Sequence, residues 1–307
     1  MNEAEVLYPS YIANSVFNGF SAYAAIMLNI VTVHAIRRTS SLPDPLKTLL
    51  LSLAVSDLCV GFVVQPFFIT LLVFRLQQDT ESNPDYNKEP FLIVTELFFL
   101  ASFFGVVAIS VDRFLAIHLH LRYQELVTHK RVVAAVVALW LLSAFLSLTN
   151  LWKSKHDICV VIFGICVICT TVVYLRIYFA VRSHRIQILA QLGLHQDVHN
   201  TELANFLKLR KSAISTFYVY VVFLLCYLPG YCAMLSHIIV SKPSTAIKAL
   251  RLYSWTLVFL NSSLNPVVYC WKMKHIRHTI VDILRNKFTR RNYGTLKFSK
   301  QRCLSTK

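Results

Sequence analysis

Asn261-Ser262-Ser263-Leu264-Asn265-Pro266-Val267-Val268-Tyr269 lies inside an apolar stretch, Ala246 to Trp271, that otherwise reads as a membrane-spanning helix. Polar side chains and a proline at that depth are costly in hydrocarbon. They survive only against other helices or internal water. The run therefore faces the interior of a helix bundle, and a stretch kept polar at that cost is a candidate working part.

Composition agrees. Hydrophobic residues make up 56% of the 307, aromatics 13% and charged residues 15%, against about 25% charge in soluble domains, and the mean hydropathy is +0.54. Apolar runs of about 20 residues, the length that crosses a bilayer, fall at 13–36, 46–74, 90–117, 131–152, 158–181, 206–239 and 246–271. The predicted fold is an all-α membrane protein, a seven-transmembrane helix bundle with a short amphipathic eighth helix. Its parts are a short extracellular N-terminus over 1–12, the bundle over 13–271, the amphipathic helix over 272–287 and a basic disordered tail over 288–307. The first span is too long, and too polar at its end, for a cleaved signal peptide, and no short basic region precedes it, so Met1 is read as the mature start.

Charge sets the orientation, because Lys and Arg concentrate in short cytoplasmic loops. One set of alternate loops holds Arg37, Arg38, Lys47, Arg122, Lys130, Arg131, Arg182, Arg185, Lys208, Arg210 and Lys211, and the tail adds more. The opposite set holds only Arg75, Lys88, Lys153, Lys155, Lys242, Lys248 and Arg251. The N-terminus is therefore placed outside. The net charge of +16 reads as a topology signal and an attraction to anionic inner-leaflet lipid, and nucleic acid is not needed to explain it.

Asp57, in Leu53-Ala54-Val55-Ser56-Asp57-Leu58, is an ionisable group near mid-membrane and needs partners. Asn29, Ser102, Asn261 and Asn265 stand at comparable depth. Together they form either a hydrogen-bond cluster that fixes helix packing or a candidate sodium site, and the two readings are compatible. At the inner end of the third span, Asp112-Arg113-Phe114 sets an acid beside a base at the membrane boundary. Such an Arg can simply snorkel to headgroups, yet here it precedes a basic loop in a chain that also carries Asp57 and residues 265–269.

In this combination the chain resembles the rhodopsin-like G-protein-coupled receptors, from about Ala13 to about Lys287. Asn29 matches the family's first-helix Asn, Asp57 its second-helix acid, Asp112-Arg113-Phe114 its Asp-Arg-Tyr with Phe in place of Tyr, and Trp140 its fourth-helix Trp. Tyr174 matches the fifth-helix Tyr, Phe223-x-x-Cys226-Tyr227-x-Pro229 the sixth-helix switch, and Asn265-Pro266-Val267-Val268-Tyr269 the seventh-helix motif. The resemblance implies that Pro229 kinks the sixth helix into a two-state element. Its swing frees Arg113 from Asp112, to pack near Tyr174 and Tyr269 and meet a heterotrimeric G protein. It implies arrestin as a further partner, a multi-pass plasma-membrane location, and no enzymatic chemistry.

Departures from the pattern narrow the reading. Tyr227 replaces the switch Trp. Leu209 stands where many members carry an acid that pairs with the third-helix Arg, so raised basal activity is expected. No Cys opens the third span, where Lys88-Glu89-Pro90-Phe91 stands, so no outer disulfide is expected. A very short second outer loop, about Lys153 to Asp157, and Cys166 in place of the fifth-helix proline add a similarity to melanocortin receptors.

The ligand is not named by these residues. Thr95, eighteen positions before Arg113, stands where amine receptors carry Asp, and Phe259 stands where opsins carry Lys. Thr95, Glu96, Phe99, Tyr231 and Tyr253 are the candidate ligand contacts, with Phe67, Phe68 and Phe98 as further aromatic wall. A transporter is disfavoured by the lack of internal repeats and an intramembrane enzyme by the lack of a convergent catalytic set. A ligand-independent or partner-type receptor is the alternative. In the tail, Met273, Ile276, Ile280, Ile283 and Leu284 recur at helical spacing opposite basic residues, which suits the inner membrane surface. Cys303 is a candidate palmitoylation site.

Overall fold

The computed structural model describes residues 3–40, 42–77, 88–119, 122–148, 161, 164–165, 167–179, 199–239, 244–273, 276–283 and 285. The second outer loop, Cys159, Cys166, Cys303 and the tail beyond residue 285 lie outside the described residues.

Every apolar run found in the sequence contains a helix. α1 spans Glu3–Arg38, starting ten residues outside the first predicted span. α2 (Asp44–Cys59) continues through a wide π turn at Val60–Val64 into α3 (Gln65–Gln77). α4 spans Lys88–His118, α5 is the short inner turn Tyr123–Leu126, and α6 spans His129–Leu148. α7 covers Val167–Phe179, α8 His199–Ile239 and α9 Thr245–Lys272. Residues 276–283 form α10.

Five helical stretches are long and apolar enough to cross a membrane: Val6–Arg38, Asp44–Gln77, Pro90–His118, His129–Leu148 and Ile214–Ser236. Val167–Phe179 is apolar but shorter, and α9 carries the polar run that dilutes its hydropathy.

The bundle closes around α4 and α9. Asn29 of α1 donates to Ser262 O of α9 (2.8 Å). Trp140 of α6 donates through Nε1 to Ser52 Oγ of α2 (2.9 Å) while its ring meets Phe98 of α4 edge-on. α1 and the π turn approach closely at Gly61, where a Cβ would stand 3.0 Å from Ile26 Cγ1 and 3.2 Å from Ala22 O.

The π turn was not legible as such in the apolar run. Pro66 supplies its cause. A helical proline lacks the N–H and crowds the carbonyl four residues back, here Phe62, and a wide turn relieves that clash. Its effect is to bring Gln65, fully buried, and Phe68 inward.

Side chains facing outward are large and apolar, among them Phe20, Tyr23, Phe62, Leu141, Phe145 and Leu225, an arrangement that suits lipid as solvent. Just past the C-terminal end of α1, Thr39 Oγ1 meets Thr279 Oγ1 (3.1 Å), tying α1 to α10. α10 turns Ile276 and Ile283 inward and exposes Arg277 and His278.

Candidate functional site

Near the C-terminal end of α4, Asp112 and Arg113 are both buried, 4% and 3% exposed. Arg113 donates from Nε to Asp112 Oδ2 (2.9 Å), and its Nη2 reaches the same oxygen. The other carboxylate oxygen accepts from Tyr123 OH of α5 (2.7 Å). Charge-assisted bonds of this kind are roughly twice as strong as neutral ones, so Asp112 holds Arg113 on one side and the α4–α6 connection on the other. Burial, then the Asp112 carboxylate beside it, raises the Tyr123 phenol above its ordinary pKa. Tyr123 therefore stays protonated and donating across the physiological range.

One turn outward, Ser110 Oγ donates to Tyr174 OH (2.8 Å), which donates on to Thr216 O (3.1 Å). This chain joins α4, α7 and α8. Tyr220 of α8 stacks on Tyr174 (4.8 Å between centroids) and shares its hydroxyl with Thr171 Oγ1 (2.6 Å). Tyr269 is 1% exposed, and its hydroxyl has no hydrogen-bond partner. In this arrangement Tyr174 is tied to Ser110 and Thr216, while Tyr269 keeps an unused hydroxyl in the core.

Between these layers and the outer half runs an aromatic column. Phe223 stacks on Tyr227 at 4.0 Å and on Phe103 at 5.4 Å, and Tyr227 meets Phe99 at 5.0 Å. Pro229 follows Tyr227 by two residues inside α8. The column thus connects Phe99 by ring contact to the turn of α8 that carries the proline.

The remaining candidate contacts are dispersed. Thr95 is buried with an unpartnered hydroxyl, and Glu96 is half-buried beside it. Tyr231 OH stands 2.6 Å from where a Cβ on Gly164 would lie, so the ring end approaches the backbone closely there. Tyr253 OH instead reaches α1, donating to Ser10 Oγ (3.2 Å). Phe98 turns to Trp140. Phe67 and Phe68 pack on Phe91 in a cluster completed by Trp255 and Phe259.

Around Asp57, which is fully buried, Asn265 Nδ2 donates to Oδ2 (2.9 Å). Asp57 Oδ1, Ser102 Oγ, both polar atoms of the Asn261 side chain and Asn265 Oδ1 are buried without a hydrogen-bond partner. Ser102 and Asn261 lie beside the Tyr227 hydroxyl. Buried polar atoms are nearly always satisfied, so these unpartnered atoms make Asp57 and Asn265, with Ser102 and Asn261 beside Tyr227, the candidate place for a bound polar group.

Two further groups emerge only with the structure. Tyr123 completes the Asp112 site, and no pattern in the sequence points to it. A second polar layer joins α1, α3 and α9: Asn18 Nδ2 donates to Thr256 Oγ1 (2.8 Å) and Gln65 Nε2 to Asn18 Oδ1 (3.3 Å), while Thr256 also bonds Asn14 Oδ1. These lay within reach of the same rule that singled out Asp57, since Asn14, Asn18 and Gln65 are polar residues inside apolar runs.

A family model described as 7 transmembrane receptor (rhodopsin family) matches residues 28–269. The chain is 26% identical over 309 residues to the adenosine receptor A2b of Gallus gallus, covering 86% of this chain and 85% of that one. It is 26% identical over 298 residues to the adenosine receptor A2b of Bos taurus, covering 83% and 84%. A shorter match to the adenosine receptor A2b of Canis lupus familiaris reaches 34% over 131 residues, 42% of this chain and 38% of that one.

Proposed function

The chain belongs to the rhodopsin family of seven-transmembrane receptors, and from that premise we propose that it converts binding of an extracellular ligand into activation of a heterotrimeric G protein by an outward swing of α8. The observation that carries this reading is the closed Asp112–Arg113 pair at the inner end of α4, buried and braced by Tyr123. A buried arginine held by its neighbour is a charge in store. Moving α8 away lets it exchange Asp112 for groups on an incoming partner. The column from Phe99 through Tyr227 to Phe223 supplies the link from an outer pocket, and Pro229 supplies the weak point in α8. In this reading the N-terminus is outside, all seven apolar runs cross the plasma membrane, α10 lies on its inner surface, and arrestin competes for the same inner groove.

The relatives are named for adenosine, so a nucleoside is the first ligand to try. A planar ring suits the aromatic faces of Phe99 and Tyr227. We further propose that Asp57, Ser102, Asn261 and Asn265 hold a sodium ion with its water. The fit rests on the donor set, one carboxylate with orphaned oxygens from three neighbours, which is hard-cation chemistry. When bound, the ion would neutralise the buried carboxylate and favour the closed bundle.

The test is cyclic AMP and calcium output in cells expressing wild type and Arg113→Ala at matched surface levels, with and without adenosine. Arg113→Ala should abolish both ligand-free and ligand-driven output. Undiminished signalling by Arg113→Ala would sink the coupling reading. A wild type that answers other ligands but not adenosine would remove only the nucleoside.

A further inference from the structure

The family's acid that tethers the sixth helix is absent here, since Leu209 occupies its place, yet the inner half of α8 is tethered to α9 by other means. Lys272, in the last turn of α9, places Nζ 3.7 Å from the centroid of the Tyr218 ring of α8 and 3.5 Å from that of its own neighbour, Trp271. The two rings stand 5.6 Å apart at 56°, so the ammonium sits in the angle between them. One turn inward Ser215 Oγ of α8 donates to Lys272 O (3.3 Å). Lys272 therefore meets α8 through both its side chain and its carbonyl.

We propose that Lys272, clamped between Tyr218 and Trp271, is the positioning residue that holds α8 closed in the ligand-free receptor. An ammonium over two aromatic faces is attracted by both ring quadrupoles, and Tyr218 leaves when α8 swings outward while Trp271 does not. The clamp is thus broken by the motion itself. That differential between the two states is what an element must have to bias the equilibrium. It also restrains α8 without the missing acid, so resting output should lie below the level that the loss of that acid alone would set. The ties from α8 to α7, through Tyr174 and Tyr220, do not serve this purpose if the two helices move together, whereas the contact to α9 has to part.

This inference rests on the coupling reading above, and its test separates the two. Full-length receptor in lipid nanodiscs is spin-labelled at residues 214 on α8 and 133 on α6, and the distance distribution is measured without ligand or G protein. Nucleotide exchange on purified heterotrimers is measured in parallel. Lys272→Gln and Tyr218→Leu should each lengthen the distance and raise ligand-free exchange about threefold to tenfold, the range one cation–π contact supports. Their combination should add little more, and Lys272→Arg, which keeps the cation, should match wild type. Thermal stability and surface level are compared to confirm folding. An unchanged distance in folded Lys272→Gln, or Lys272→Arg opening as much as Lys272→Gln, overturns the proposal. A longer distance with no exchange on any heterotrimer supports the clamp and overturns the coupling reading instead.

Discussion

Replacing Asn18 by Leu tests the polar layer that joins α1, α3 and α9. Asn18 is fully buried and bridges three helices, bonding Thr256 at 2.8 Å and Gln65 at 3.3 Å. Leucine keeps the branched shape with the same number of side-chain heavy atoms and is somewhat bulkier, so no cavity forms and the loss is chiefly polar. Hydrogen bonds between membrane helices average about 0.6 kcal/mol and reach about 1.7, so two of them contribute about 1–2 kcal/mol. Gln65 is then stranded: its Oε1 already lacks a partner, and its Nε2 loses the Asn18 oxygen it donates to. An abandoned buried amide adds about 1–3 kcal/mol, giving about 2–5 kcal/mol in all. A domain of this size loses about 2 °C of Tm per kcal/mol, so the variant should melt about 4–10 °C below wild type in nanodiscs, at one scan rate because unfolding of such proteins is irreversible. Asn18→Leu with Gln65→Leu removes both partners together and should recover about half the loss. The reasoning fails if the single variant melts within about 1 °C of wild type, or if the double variant falls below the single one.

Three other outcomes are expected. Tyr123→Phe takes one charge-assisted bond from Asp112 and should raise ligand-free nucleotide exchange about threefold to tenfold; equal exchange at equal surface level would count against the bracing role of α5. Gly61→Val places a branched side chain where even a Cβ is 3.2 Å from Ala22 O, and overpacking of about 1–3 kcal/mol should lower both Tm and surface yield, whereas Gly61→Ala should cost less because Ile26 can rotate. Sodium chloride should raise the Tm of wild type above that in choline chloride and leave Asp57→Asn unmoved, through stabilisation of the state that binds the ion; an equal response in both proteins removes the sodium site.

The architecture was open to sequence reading because the bilayer imposes a length on every apolar run and a penalty on every polar group within one. Asp57 and Asn265 stood out for that reason, and the structure joins them by a 2.9 Å bond. Asp112 and Arg113 were legible as neighbours at a boundary, but Tyr123 lies eleven residues from Asp112 on another element, and only the turn between α4 and α6 brings it back. Phe98 and Phe99 show the limit more sharply. Adjacent in sequence and chemically identical, they point to Trp140 and to Tyr227 respectively, so composition made both pocket candidates and helical phase separates them. Tyr253 shows the same effect of phase: its place on α9 turns its hydroxyl to Ser10. Lys272 opens the basic tail, and nothing in that run of charges announces which lysine will meet two rings.

The wide turn at Val60–Val64 alters how this chain is to be compared with others. It takes up one more residue than an α-helical turn, and each residue advances a helix by about 100°. Against a receptor whose second helix is α-helical throughout, an ungapped pairing of letters beyond Val64 would match side chains that point in different directions. Gln65, Phe68 and Leu72, all buried here, would be set against outward-facing positions. The identities of outer-mouth residues therefore have meaning only after a one-residue offset, and a selectivity rule carried over without it would be read from the wrong face of the helix.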